Sequence, residues 1–384
     1  MYLITKQNHP YENIILSFTL LLSCAGYKAS VTDNEIETVC QDSFVTLADL
    51  YDHAEMIPLE NKEEAMICDV LKMEVTPEGF FIRDLYGGGF TRILFFDNKG
   101  NFVTQIGKMG KSKQEYIYID DMAVDKAKKE VAILTMGQQI KRYGFDGKYK
   151  DEILLQDDVR YETLCYSDDM YICSTWNNDK QDSLICIFNR KGEVISKHVA
   201  SLPKYIHEGQ HISNPIQADG NKVLYADYYR SKFYLIDLKN PLQESSCNMD
   251  LDNMFVYTDD SSITDKGDKD DITSSYYMND AIFGLMNHKR SLSYYQIDLK
   301  RNKACVCPFY DWTPMLFTMT DGYAYAVLTQ AEVMSLCVRK SPYTNQTKDM
   351  LGEAFKAYAN NFTMKDNFVI LKMKPKDINL FNRK

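Results

Sequence analysis

A turn that keeps returning constrains this chain more than any other feature. The stretch RILFFDNKGNFVTQIGKMG, Arg92 to Gly110, reads as an apolar alternating strand, a tight turn, a second strand and then glycines. Weaker copies of its FFDNKG centre follow. YGFDGK carries Asp146, CIFNRKG carries Asn189, YLIDLKN carries Asp237 and YQIDLKR carries Asp298. Counted from Asp97, the steps between them are 49, 43, 48 and 61 residues. Each copy ends an apolar alternating run and opens a polar turn. Asp and Asn suit that place because the side chain bonds backbone amides two residues on and tolerates left-handed dihedrals. Gly100, Gly147 and Gly192 supply positive φ for closing the hairpin.

Further strands flank these turns. DVLKMEV and GFFIRD precede Asp97, DDMAVD and EVAIL precede Asp146, and YETLCY and DMYICST precede Asn189. FVTQIG, YKDEILL and EVISKHV follow the first three turns. Four strands recurring every 43–61 residues is the period of a propeller blade. One such sheet cannot bury its own faces; packing several around an axis buries them. Five units account for residues 70 to about 308. A sixth is assembled from both ends of the folded region. MLFTMT (Met315–Thr320), YAYAVL (Tyr323–Leu328) and FVILKMK (Phe368–Lys374) give three strands, and AEMIPLE (Ala54–Glu60) gives the fourth. Closing the ring this way removes free edges that invite aggregation. In TKDMLGEAFKAYANNF, Met350, Leu351, Ala354, Phe355 and Tyr358 recur at helical spacing, with Thr347 as cap and Asp349 in the first turn. The expected fold is therefore all-β: a six-bladed β-propeller with one decorating helix in the last blade, its ring closed by the N-terminal strand. TDDSSITDKGDKDDITSS (Thr258–Ser275) is expected to be an exposed acidic loop.

Composition agrees with strands. Tyr occurs 27 times and Phe 19 times, and aromatic residues favour pleated surfaces. The formal net charge of −10 and the scattered Lys and Arg argue against nucleic acid as a partner. IILSFTLLLSC places a short apolar run, Ile14 to Leu22, before Ser23-Cys24. That run has the length of a signal-peptide core and is too short to span a bilayer. Leu21-Leu22-Ser23-Cys24 resembles a bacterial lipobox, with Cys24 as the lipid attachment residue. The expected organisation is a lipoprotein signal peptide over 1–24, a polar tether over 25–45, the propeller over 46–376 and a C-terminal tail over 377–384. The lipid would tether the chain to a membrane of the cell envelope, expected to be the outer membrane, without crossing it. Of the ten cysteines, Cys165, Cys173, Cys186, Cys305 and Cys307 lie inside apolar runs. Most are expected to be unpaired core residues.

Four places resemble a known group, the bacterial six-bladed β-propeller lipoproteins related to the NHL and TolB-like propellers. LADLYDHAEMIPLE is similar to the opening strand of that group. ILFFDNKGNFVTQIGKMGKSKQEYIYIDDMAVD is similar to its Phe-Asp-x-x-Gly strand pair and the Gly-x-Gly-Pro-x-Glu-Tyr turn after it. SSYYMNDAIFGLM with YYQIDLKRNK resembles its fifth blade, and KDNFVILKMK resembles its closing strand. Here Ser112-Lys113 replace the Gly-Pro of the turn, and Phe368 replaces the closing Pro. The resemblance implies a fold; many members of the group have no assigned activity.

HEGQH, His207 to His211, satisfies the His-Glu-x-x-His pattern. On a helix, His207 and His211 would share a face for zinc and Glu208 would polarise a bound water. Pro203, Gly209 and Asn214-Pro215 argue against such a helix, so these residues are weak metal candidates in a loop and no metal site is expected. Glu115 and Tyr116, in a turn between blades, are the candidate ligand-binding pair; the same residues could instead brace the turn. The pairs Tyr228-Tyr229, Tyr276-Tyr277 and Tyr294-Tyr295 are expected to pack, with at most one ring per pair free. The DKGDKDD run does not fit a calcium loop. There is no Gly-x-Ser-x-Gly elbow, no phosphate-cradling loop and no Cys-x-x-Cys pair. GGGF, Gly87 to Phe90, reads as a flexible turn. No catalytic residue and no cofactor are expected. The favoured function is a non-enzymatic module that binds a small molecule, glycan or protein at a mouth of the propeller, where loops converge on a rigid scaffold. The alternatives are a metal-dependent propeller lyase or hydrolase with an axial site, and an assembly role beside an outer-membrane transporter.

Overall fold

The structure, a computed structural model, describes residues 30–175, 184–199, 215–254, 256, 268–310 and 315–376. The chain opens with β1 (Ser30–Cys40), a single turn α1 (Leu47–Leu50) and β2 (Tyr51–Pro58). Four-strand runs follow. β3 (Val70–Thr76), β4 (Gly79–Tyr86), β5 (Phe90–Asp97) and β6 (Phe102–Gln105) form the first. β7 (Asp121–Asp125), β8 (Glu130–Thr135), β9 (Gln139–Gly144) and β10 (Tyr149–Leu154) form the next. β11 (Thr163–Ser167), β12 (Met170–Ser174), β13 (Ile185–Asn189) and β14 (Val194–His198) come third. Then come β15 (Ile216–Asp219), β16 (Lys222–Asp227), β17 (Lys232–Asp237) and β18 (Gln243–Met249). After them lie β19 (Asp271–Met278), β20 (Ala281–His288), β21 (Ser291–Asp298) and β22 (Lys303–Pro308). β23 (Met315–Thr320), β24 (Tyr323–Leu328), helices α2 (Gln330–Val338) and α3 (Pro342–Asn361), and β25 (Val369–Pro375) complete the described chain.

Neighbours within each run pair antiparallel, and β2 completes the last sheet in the order β2-β25-β24-β23. Ile57 lies opposite Ile370 and Met56 opposite Leu371, so the two ends of the folded region share one sheet. The first strands β3, β7, β11, β15, β19 and β23 touch one another in a closed cycle. The fold is all-β and propeller-like. Strand alternation feeds two neighbours at once. Phe80, Ile82, Leu94 and Phe96 pack towards Ile57, Val327 and Ile370, while Phe81, Ile93 and Phe95 pack towards Met122, Val131 and Ile133. Sheets buried on both faces read as near-continuous apolar runs, which is why FFIRD and ILFFD have so little polar content.

The recurring turn does two jobs. Asp97 Oδ1 accepts from the amides of Lys99 (2.8 Å) and Asn101 (2.9 Å), and Asp146, Asn189 and Asp237 each accept from the amide two residues on. Asp298 bonds one residue further along, at Arg301. The glycines have φ of 86° (Gly100), 76° (Gly147) and 83° (Gly192). Each also presses on the end of the preceding outer strand. A β-carbon would lie 2.2 Å from the Pro58 oxygen at Gly100, 2.6 Å from the Gln105 oxygen at Gly147 and 2.4 Å from the Leu154 oxygen at Gly192. Only glycine fits there, so the repeat is a packing signature as well as a turn signature.

Three expectations are corrected. First, residues 25–45 are not simply a tether: β1 lies parallel between β18 and β22 and joins two four-strand runs into one nine-stranded sheet. Its backbone makes the bonds, and Ile36, 1% exposed, is its anchor in the core between β16–β18 and β19–β22. Second, the last sheet carries two longer helices rather than one. α2 starts at a capping box, Thr329 with Glu332. α3 is capped by Ser341 with Pro342 at its start, so Thr347 is a buried residue inside the helix and not its cap. Leu351 and Phe355 are buried as their spacing implies, but Ala354 is exposed, and Gly352 breaks the helical path (φ 67°). Third, the acidic stretch Thr258–Ser275 does not stay a loop to its end. β19 starts at Asp271, and Asp270 is buried because Lys289 N (2.9 Å) and His288 Nδ1 (2.7 Å) meet its carboxylate.

Candidate functional site

A cavity of about 480 Å³ opens where β3, β7, β11, β15 and β23 meet. Its floor holds charge. The Lys72 ammonium donates to Asp121 Oδ2 (3.0 Å) and to the Leu164 carbonyl (2.7 Å), and stands 3.7 Å from Glu74 Oε1. Asp121 also accepts from the Leu164 amide (2.7 Å) and pairs with Arg83 (3.4 Å). Three neighbouring inner strands are thereby pinned to one buried ion pair. Burial works against the Lys72 ammonium, but the carboxylates of Asp121 and Glu74 outweigh it and hold its pKa above the ordinary value. Burial pushes the Glu74 carboxyl up, against the pull of Lys72. It also pushes the Cys165 thiol up to about 12, so that wall offers a thiol and not a thiolate.

The rim is built from the first turn of each run. Lys126 reaches across to Thr320 Oγ1 (3.0 Å) and Asp321 Oδ2 (3.3 Å), and Lys128 pairs with Asp169. The Asn279 amide donates to Asp219 Oδ2 (2.9 Å). Asp168, Asp169, Asn279, Asp280 and Asp321 all have positive φ, between 49° and 60°. Turn chemistry therefore explains why these positions are Asp and Asn, and the acidic rim is partly a by-product of it. Acids outnumber bases: Glu74, Asp125, Asp168, Asp169, Asp219 and Asp321 line the cavity against Lys72, Lys126 and Lys128. None of the described lining residues is His.

The sequence candidates fall elsewhere. Cys24, and the HEGQH residues His207, Glu208 and His211, lie outside the described residues. Glu115 braces its own turn: Oε2 accepts from the Ser112 amide (2.9 Å), and that bond holds its carboxyl below the usual range. Tyr116 is buried beside Gly107 and Tyr143, and burial pushes its phenol up to about 12. The pair does not reach the axial cavity. Of the six paired tyrosines, only Tyr276 is not fully buried. None of the nine described cysteines is in a disulfide, and six of them are buried. Among the described residues, no group of three or more His, Cys, Asp or Glu is placed to hold a metal ion.

Sequence reasoning missed one constellation. Ser196 Oγ meets His198 Nε2 at 2.9 Å, and His198 Nδ1 lies 3.2 Å from Glu244 Oε2. The order is that of nucleophile, base and orienting acid. All three are buried, Glu244 also accepts from the Val199 amide, and none lines a described cavity, so the group ties β14 to β18. A Ser-x-His pair within one strand gives no signal of its partner 46 residues on.

Residues 33–374 match the family model described as Domain of unknown function (DUF4934). The chain belongs to the DUF4934 family. No curated protein matches it. This DUF4934 chain is similar in structure to a Bacteroides fragilis NCTC 9343 protein described as exported (BF0058), with TM-score 0.66 and 14% identity over 91% of this chain and 100% of that one. It is also similar to a member of the DUF4221 family from Bacteroides vulgatus ATCC 8482, with TM-score 0.54 and 10% identity over 86% and 98% of the two chains. At such identities the likeness is one of fold. Among the described residues of the DUF4934 chain, no helix is long and apolar enough to cross a membrane.

Proposed function

We propose that this protein is a six-bladed β-propeller of the bacterial envelope, related to the NHL and TolB-like lipoproteins and anchored by lipid at Cys24. It binds a polar ligand or a protein segment at the axial mouth without transforming it. The closed cycle of six inner strands supports the blade count. The observation that carries binding over chemistry is the pairing of the axial charges. Lys72 is paired with Asp121, Lys126 with Asp321 and Lys128 with Asp169, so the mouth offers fixed charges and hydrogen-bonding groups rather than a free base. The excess of carboxylates suits a cationic or hydroxyl-rich ligand.

Thermal denaturation with glycans, peptides and divalent metals tests this reading. A ligand of the folded state raises the melting temperature. The expected result is a rise with one class that disappears in Asp168→Asn/Asp219→Asn. Catalytic turnover of any of these compounds that is abolished by Glu74→Gln would favour the second reading, a propeller enzyme. Glu74 is the observation behind that alternative, since a carboxyl raised by burial suits proton transfer. Labelled palmitate should be incorporated by the full chain and not by Cys24→Ser.

A further inference from the structure

A second concavity lies at the far end of β4, away from the axial rim. It is a cleft of about 570 Å³ under the tip of the β4–β5 hairpin. Tyr86 and Phe90 face each other across the hairpin as a cross-strand pair, and the two residues are 49% and 54% exposed. Half-exposed aromatic rings side by side at a hairpin tip contribute little to the core, so the core does not explain them. Beneath them the structure is over-determined. The Arg92 guanidinium sits 4.0 Å from the Tyr86 ring centre. It is locked there by Asp84 Oδ2 (2.9 Å) and by the carbonyls of Glu64 (3.1 Å) and Met66. Asp84 is itself fully buried and fixed by the amides of Cys68 and Asp69. The ring platform therefore rests on a rigid base.

The polar lining is selective. The Glu63 and Glu64 carboxylates are exposed at the cleft and make no hydrogen bond or ion pair among the described residues. Ionised carboxylates only accept. The Tyr116 hydroxyl, on a residue 1% exposed at the cleft wall, has the Gln105 side chain beside it but meets no partner in a well-aligned bond. A ligand must therefore bring several donors and a flat apolar face. The two acids exclude an anion. Glu63 and Glu64 would also attract a cation, but Arg92 already takes one face of the Tyr86 ring, so a cationic ligand is the competing class that the test must separate.

We infer that the Tyr86–Phe90 platform with Glu63, Glu64 and Tyr116 is a binding site for a neutral oligosaccharide: sugar C–H faces stack on the rings, and sugar hydroxyls donate to the carboxylates. The site is separate from the axial mouth and does not depend on what binds there.

Calorimetric titration of the full chain with neutral gluco-, manno- and xylo-hexasaccharides tests it, at 50 and 500 mM salt, with hexalysine as the competing class. The expected result is binding of at least one hexasaccharide with less than about twofold change between the two salt concentrations, since no ion pair is made. Tyr86→Ala/Phe90→Ala should weaken it at least tenfold with the melting temperature unchanged. Should that variant fold poorly, Glu63→Gln/Glu64→Gln should weaken it at least threefold while keeping both rings. Asp168→Asn/Asp219→Asn at the axial rim should leave it intact, which separates this site from the axial reading. Three results would overturn the inference: no hexasaccharide bound at millimolar concentration, binding that survives loss of both rings, or binding of hexalysine that fades with salt.

Discussion

Neighbouring runs are joined in more than one way, and two of these ways contrast. From β2 through β14, each Asp or Asn turn docks its glycine (Gly100, Gly147, Gly192) on the end of the preceding outer strand, and the axial ends are pinned by Lys72 and Asp121. Between β18 and β22 no such contact exists among the described residues. Asn302 stands in the turn there, and β1 fills the space, bonded on both edges. The first kind of junction is bought with backbone shape and local sequence. The second depends on a segment more than 200 residues away in the chain. A repeat architecture thus tolerates the loss of its own signature where a distant strand substitutes for it.

The comparison can be broken most sharply at Gly100. Gly100→Val forces a β-branched residue into positive φ against the Pro58 carbonyl, at the very strand that closes the ring. It should cost at least about 4 kcal/mol of stability. Asn240→Ala, in the equivalent turn before β18, should cost less than about 1 kcal/mol. Urea unfolding midpoints decide, and equal losses would mean that the glycine contact is not what distinguishes the junctions. Next comes Lys72→Met, which strands Asp121 in the interior and should cost about 3–5 kcal/mol, again by urea unfolding. Little or no loss would show that Arg83 alone satisfies Asp121.

Ile36→Ala tests the other junction. Removing the deeply buried Ile36 side chain should cost at most about 2–4 kcal/mol, because the strand can detach locally. Hydrogen exchange should speed up over residues 30–40 while β3–β14 stay protected. Uniform loss of protection would make β1 an integral part of the ring. Asp97→Ala should cost about 1 kcal/mol, through the loss of the amides at Lys99 and Asn101. Asp298→Ala, with one such amide, should cost less in the same melting experiment.

The smallest effect is a slope. Burial raises the Glu74 carboxyl, so the folded chain holds a proton that the unfolded chain releases. Stability should fall as pH rises from the ordinary carboxyl range through the raised value. Hydrogen bonds from Asn101 and Lys99 outweigh burial at Asp97 and lower its carboxyl, which has the opposite sign: its contribution is lost as pH falls. Glu74→Gln should flatten the first slope and raise the melting temperature above it, leaving the acid-side loss in place. An unchanged slope in that variant would mean the cavity hydrates Glu74 fully.

The strands, their turns and the pairing of chain ends were legible because each rests on local chemistry. Alternation marks a face, Asp or Asn marks a turn that bonds its own amides, and FVILKMK and AEMIPLE carry patterns that match across a sheet. The capping box at Thr329 and Glu332 is likewise a local signal, of a helix start. SVTDNEIETVC was illegible as a strand. Most of its bonds run backbone to backbone, with Asp33 adding side-chain bonds to Lys232 and Ser246; only Ile36 is deeply buried among its described side chains, and so polar a segment has the composition of a linker. The axial charges were illegible for the same kind of reason. Lys72, Asp121 and Leu164 lie 49 and 43 residues apart and meet only once the inner strands close on each other. Local sequence determined what each sheet is. Long-range closure alone decided which side chains face the axis, which edge β1 covers, and where a ligand could enter.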